Sequence, residues 1–112
     1  MFVCGFLQQI SYKLRPETAE SLFVLHQLTG NPVYREWGWE IFKAIEKHCK
    51  LQYGYGIYPD VTSIGASAED KQESFFLGET MKYLYLLQSP HHGVSLEKYV
   101  FTTEAHPLPI TA

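Results

Sequence analysis

A chain of 112 residues is the length of at most one small domain, and folding can bury roughly two-thirds of its surface. Nine Lys and Arg against twelve Asp and Glu give a formal charge of −3 with no basic stripe, so the footprint of a nucleic-acid binder is missing. No apolar run is long enough for a membrane span, and MFVCGFLQQI lacks the basic leading region and cleavage site of a targeting signal. The 15% aromatic content suits either a large packed interior or surfaces that stack on flat ligands. Cys4 and Cys49 lack metal-ligand spacing and leave the redox compartment open, although they could pair; Cys49 reads more simply as a small apolar helix residue.

In chain order, Ala19, Leu22, Phe23, Leu25 and Leu28 predict a short amphipathic helix over residues 16–28, with Pro16 in its first turn and Thr29-Gly30 as its stop. Asn31 then caps a second helix that carries Pro32 at its first position and runs to about Lys50. Its amphipathic pattern, Tyr34, Trp37, Ile41, Ala44, Ile45 and His48, follows at steps of three and four. Residues 52–70, rich in Gly, Tyr, Ser, Pro and Asp, read as a long loop with some extended structure. A third helix is expected over residues 71–87, stopped by Ser89-Pro90. Alternation in YVFTTEA predicts a strand over residues 99–103, after which Pro107 and Pro109 end regular pairing. That leaves three helices and one strand with nothing to pair with, an unsatisfied arrangement for a free-standing domain.

Three segments bring acids out of apolar surroundings: Glu17 and Glu20 beside Arg15 in LRPETAES, Glu73 and Glu79 in ESFFLGET, and Thr103-Glu104 before His106 in TEAHP. Most have an ordinary structural explanation, since acids near a helix start are stabilised by the helix dipole and a turn acid is normally solvated. Glu79 resists it, because Phe75, Phe76 and Tyr83 stand at i−4, i−3 and i+4. A buried carboxylate needs a cation, hydrogen bonds or a raised pKa. Such acids with a threonine hydroxyl suit a hard, oxygen-seeking ion such as calcium, while acids set apart across a pocket suit a glycosidase.

Taken together and in order, LRPETAES, ESFFLGETMKYLYLL and FTTEAHPLPI resemble the C-terminal part of the class I α-1,2-mannosidases, glycoside hydrolase family 47. TGNPVYREWGWEIFKAIEKHC is similar to the helix between the first two motifs. The resemblance covers about residues 12–110 and leaves residues 1–11 as a non-matching N-terminal segment, so the incomplete catalytic domain is placed at 12–112. It implies a mainly α fold: a fragment of an (α/α)7 barrel, about three helices plus a terminal strand from the β-hairpin that plugs the barrel, with the strand's partner absent. Helices cut from such a barrel would expose Trp37, Trp39, Tyr83 and Tyr85, predicting association or a partly molten chain.

The resemblance also implies an inverting, calcium-dependent hydrolase that trims α-1,2-linked mannose from high-mannose N-glycans in the endoplasmic reticulum or Golgi lumen. Glu17 matches the general base and Thr103 the threonine that binds Ca2+. Glu20, Glu79 and Glu104 match acids around the ion or the sugar, Phe75 an aromatic against the sugar ring, and Arg15 an arginine lining the pocket. His106 is given no role. The segments carrying the family's general acid and a further aspartate have no match here, so the isolated chain is expected to be inactive. The alternative is a small helical module that binds glycans or glycoproteins without catalysis. Two departures from the family pattern are mild, Ala19 for Val and Thr102 for Asn, while Gln88 for Phe is expected to lose apolar contact at a helix end.

Overall fold

The computed structural model describes residues 10–111. Three helices pack on one another: α1 (Glu17–Thr29), α2 (Val33–His48) and α3 (Lys82–Gln88), the last preceded without a break by a π-helical segment, Phe76–Met81. Two short strands follow, β1 (Tyr99–Phe101) and β2 (Pro107–Pro109).

The first two helices form where the apolar spacing puts them. Ala19, Leu22 and Phe23 bury one stripe of α1, and its last turn closes on Gly30, whose φ of 69° lets its N–H reach the His26 carbonyl at 2.8 Å. Two residues on, the Asn31 side chain accepts the Val33 N–H at 3.0 Å and opens α2. Gly38 and Ile45 are the buried positions of α2. A reciprocal pair joins α2 to the end of α3: Arg35 Nη2 donates to the Gln88 carbonyl at 2.8 Å, and Gln88 Nε2 donates to the Arg35 carbonyl at 2.7 Å. Gln88 therefore exchanges the apolar contact it was expected to lose for two cross-helix hydrogen bonds.

Three sequence expectations need correction. The third helix does not begin at Lys71, because residues 69–72 are committed to the loop. Glu69 exchanges both backbone hydrogen bonds with Ile57, at 2.8 and 3.1 Å, and Gln72 Oε1 accepts the Tyr55 N–H at 3.0 Å. Nor is the terminal strand alone. β1 pairs antiparallel with β2 in the register Tyr99 with Pro109, Val100 with Leu108 and Phe101 with Pro107. Ladder bonds flank the pair on either side, from Ile110 N–H to the Lys98 carbonyl at 2.8 Å and from Thr102 N–H to the His106 carbonyl at 3.0 Å. Hydrogen-bonded and non-hydrogen-bonded pairs alternate in such a ladder, so both prolines fall at positions whose nitrogen points away from β1. Their missing N–H groups cost this pairing nothing. Finally, Tyr83 is only 2% exposed, whereas Trp37, Trp39 and Tyr85 are exposed as expected.

Tyr83 is covered by the hairpin. Phe101 of β1 meets Phe23 of α1 and Tyr83 of α3 with ring centroids 5.6 Å apart in both cases. Phe23 and Tyr83 are themselves 5.7 Å apart. This aromatic triad is continuous with the core of Leu14, Ala19, Leu22, Ile45, Cys49, Phe76, Leu84, Leu87 and Ala105. The hairpin is thus anchored in the helical core, with its turn delivered to the end of the helix layer that carries the acids.

Candidate active site

Two buried, left-handed residues aim the chain at the site. Leu14 has φ 61° and Ala105 has φ 60°, and both are fully buried. For side-chain-bearing residues this conformation costs about 1–3 kcal/mol, and it persists only where the surroundings enforce it. At Leu14 it turns the chain outward just before Arg15-Pro16-Glu17. At Ala105 it closes the hairpin turn just after Thr103-Glu104.

The hairpin turn is built from its own backbone and one hydroxyl. Ala105 N–H donates to the Thr102 carbonyl at 2.9 Å, and His106 N–H donates to Thr102 Oγ1 at 3.1 Å. Thr102 therefore serves the turn with both its carbonyl and its hydroxyl. Thr103 and Glu104 are left exposed at the tip.

Between these two segments runs the π-helical stretch, with Glu79 half-buried on it. Such segments hydrogen-bond five residues apart and recur at functional sites. Thr80, next in line, is fully buried and donates its hydroxyl to the Leu14 carbonyl at 2.6 Å. Lys82 donates Nζ to the Ala105 carbonyl at 2.8 Å.

The site's electrostatics follow from this convergence. Partial burial holds the Glu79 carboxyl above its ordinary pKa, and the charges of Glu104, Glu17 and Glu20 add to the effect, with Lys82 opposing it. Acids from two other segments thus bear on this one carboxyl. Burial first, and then Glu20 and Glu79, push the Tyr83 phenol up to about 12. Tyr12 also rises to about 12, through burial and then the charges of Cys49 and Glu17. The ion pairs among the described residues are Lys43–Glu40, Lys50–Glu46 and Lys71–Glu73, and none of the four clustered acids takes part. Glu73 therefore lies outside the cluster, paired to Lys71 in the loop.

Of the remaining expected site residues, Arg15 and Phe75 are brought together, with the guanidinium carbon 5.7 Å from the ring centroid, a cation–π contact at the mouth of the site. Thr103 stands beside Glu104. Thr80, Lys82 and the two left-handed backbone sites were not singled out from sequence; a threonine in mid-helix on an apolar face is the signal that points to one of them. A separate apolar cleft of about 350 Å³, lined by Tyr12, Ile41, Ile45, His48, Cys49 and Tyr58, contains none of the acids.

The donor set is one of hard oxygens: carboxylates, a threonine hydroxyl and backbone carbonyls at a turn. Among the described residues, no three acid, imidazole or thiol groups converge closely enough to coordinate one ion directly. The set fits an ion held at the hairpin tip with the carboxylates reaching it through water, as hard divalent cations with several water ligands permit.

Residues 6–110 match glycosyl hydrolase family 47, and the chain belongs to that family. The match begins upstream of the boundary read from the motifs, in a stretch most of which lies outside the described residues. The chain is 52% identical over 104 residues to human mannosyl-oligosaccharide 1,2-alpha-mannosidase IC, covering 93% of this chain and 16% of that protein. It is 56% identical over 99 residues to mannosyl-oligosaccharide 1,2-alpha-mannosidase MNS1 of Arabidopsis thaliana, covering 88% and 17%. The fold superimposes on the alpha-1,2-mannosidase from Trichoderma reesei with a TM-score of 0.83 at 38% identity, over 90% of this chain and 22% of that one. The chain thus spans about a sixth of the curated relatives it matches, and its fold is a portion of theirs.

Proposed function

We propose that this chain is the base-bearing, calcium-binding part of an inverting α-1,2-mannosidase acting on high-mannose N-glycans, and that it is incomplete as a catalyst. The observation that supports this best is the electrostatic convergence of Glu17, Glu20, Glu79 and Glu104 from three separate segments beside Thr103. Four acids without an ion pair among the described residues leave a concentration of negative charge that a divalent cation would neutralise.

In this reading Thr103 offers its hydroxyl and carbonyl oxygens to calcium, and Glu20, Glu79 and Glu104 order the water around it. Calcium, when bound, supplies a hard centre that holds sugar hydroxyls. Glu17 takes the proton from a water that attacks the anomeric carbon from the face opposite the leaving oxygen. Arg15 and Phe75 form the wall on which the sugar rests. Inversion separates base and acid across the scissile bond, leaving room for that water. The proton for the leaving oxygen then comes from a part of the barrel outside these 112 residues.

The relatives' names, which specify mannosyl-oligosaccharides, support the substrate class. The lumen of the secretory pathway is the compartment that this substrate class implies. No helix among the described residues is long and apolar enough to cross a membrane. The second reading, a glycan-binding module without catalysis, draws on the same Arg15–Phe75 pair and needs no acid partner.

The deciding experiment is thermal unfolding of the 112-residue chain in excess calcium and in chelator, repeated on Thr103→Ala. Calcium is expected to raise the melting temperature of the parent and not of the variant. Equal melting under all conditions would overturn a calcium site in this chain. Release of mannose from an α-1,2-linked oligosaccharide by the chain alone would overturn its catalytic incompleteness.

A further inference from the structure

Among the described residues, only two residues other than glycine hold positive φ angles, Leu14 and Ala105. Both are completely buried, and each stands within three residues of a proposed site group. Their carbonyls share a further property. Each accepts a hydrogen bond from a side chain of the same helix, Leu14 from Thr80 at 2.6 Å and Ala105 from Lys82 at 2.8 Å. The donors sit one residue after Glu79 and three residues after it. Residues two apart on a helix point to nearly opposite sides, so a single helix grips two segments of chain that are otherwise remote in sequence.

We propose that Thr80 and Lys82 are positioning residues that hold the Glu17 segment and the Thr103–Glu104 turn in register with the Glu79 carboxylate. The inference rests on the calcium-site reading above. Buried carbonyls left without a donor are costly, and a strained turn persists only while its surroundings enforce it. Without Thr80's hydroxyl the chain leaving Leu14 loses its fixed direction, and without Lys82 the hairpin tip loses its attachment to the helix that carries Glu79.

Lys82 allows a test in which charge and position predict opposite signs. Its ammonium faces the acid cluster, so simple electrostatics says that Lys82→Met removes a repelling charge and tightens calcium binding. Positioning says that the same change weakens binding, because the ligands of the tip are no longer held. Calcium titration calorimetry on the 112-residue chain should show Lys82→Met binding roughly tenfold more weakly, the loss expected for a charge-assisted tether, with Lys82→Arg restoring most of it. Unchanged or tighter binding in Lys82→Met would overturn the proposal. Thr80→Val should likewise weaken binding, and Thr80→Ser, which keeps the hydroxyl, should not.

Amide hydrogen exchange in chelator gives a second readout that does not need calcium. Lys82→Met should accelerate exchange at Ala105 and His106 while leaving the Cys49 amide, bonded within α2 to Ile45, as it was. Equal acceleration at both places would mean general loosening and would overturn the positioning role. A parent chain that binds no calcium would sink the calcium-site reading, and the exchange pattern would then decide by itself whether Lys82 holds the turn.

Discussion

Phe101 meets Phe23 edge to face, with ring centroids 5.6 Å apart and planes 82° apart. This contact, between the hairpin and the first helix, joins the terminal strands to the core, and Tyr83 completes it from α3. The geometry is the one aromatic rings prefer, positive edge toward negative face.

Phe101→Ala should therefore release the hairpin before it harms the helices. We expect a loss of about 2–3 kcal/mol in denaturant unfolding, near the lower end for a large core truncation because Phe101 is only half-buried. Exchange protection should vanish at Thr102 and Ile110 and remain at Gly30. A uniform loss would show that hairpin and helices are one cooperative unit.

Glu79 gives a pH signature. Its proton is held more tightly in the folded chain than in the unfolded one, so ionising it costs the fold some stability. That cost is fully present above the folded-state pKa and disappears as pH falls through it toward the ordinary value of 4.5 and below. In chelator, Glu79→Gln should thus melt above the parent at neutral pH, with the difference closing as the solution is acidified. Excess calcium at neutral pH should reverse the order, since the parent then gains a partner for its charge. Melting curves of the two proteins across pH test both statements.

Two glycines should respond oppositely to alanine. A Cβ at Gly78 meets nothing within 4 Å, so Gly78→Ala should stabilise the chain by about 0.5–1 kcal/mol through reduced unfolded-state freedom. A Cβ at Gly56 runs into the Glu69 carbonyl, which belongs to a backbone bridge with Ile57 and cannot swing aside. Gly56→Ala should cost about 1–3 kcal/mol. Chemical denaturation of the pair is sufficient, and equal effects would overturn the assigned close approach.

The exposed tryptophans of α2 predict association. Trp37 is 53% exposed and Trp39 is 48% exposed, with Trp39 stacked on Phe42. Sedimentation at increasing concentration should show self-association of the parent, reduced in a Trp37→Glu, Trp39→Glu double variant. A monodisperse parent would remove this expectation.

Much of this arrangement was legible in the residues. Apolar spacing located α1 and α2 to within a residue or two, helped by an explicit stop at Gly30 and an explicit start at Asn31, although of the apolar positions read for α2 only Ile45 is fully buried. The three acid-bearing segments were also legible, as motifs. What could not be read was whatever depends on contacts between distant segments. The π-helical register around Glu79 coincides with the Thr80 bond to Leu14, sixty-six residues away. The delayed start of the third helix reflects Glu69 bridging to Ile57. Tyr83 looked like an exposed ring until the hairpin arrived to cover it. Pro107 and Pro109 read as chain-stoppers because their register against β1 was unknown.

Those prolines have an effect on the free side of the hairpin. β2 is an edge strand, and its outward-directed backbone nitrogens are those of Pro107 and Pro109. Where another chain's carbonyls would look for donors, the strand offers ring carbon instead. A further strand could meet only the carbonyls of that edge, so the sheet resists growth on its β2 side. A chain that exposes tryptophans on one helix thereby lacks one route from loose association to a fibril, strand addition along the β2 edge of this hairpin.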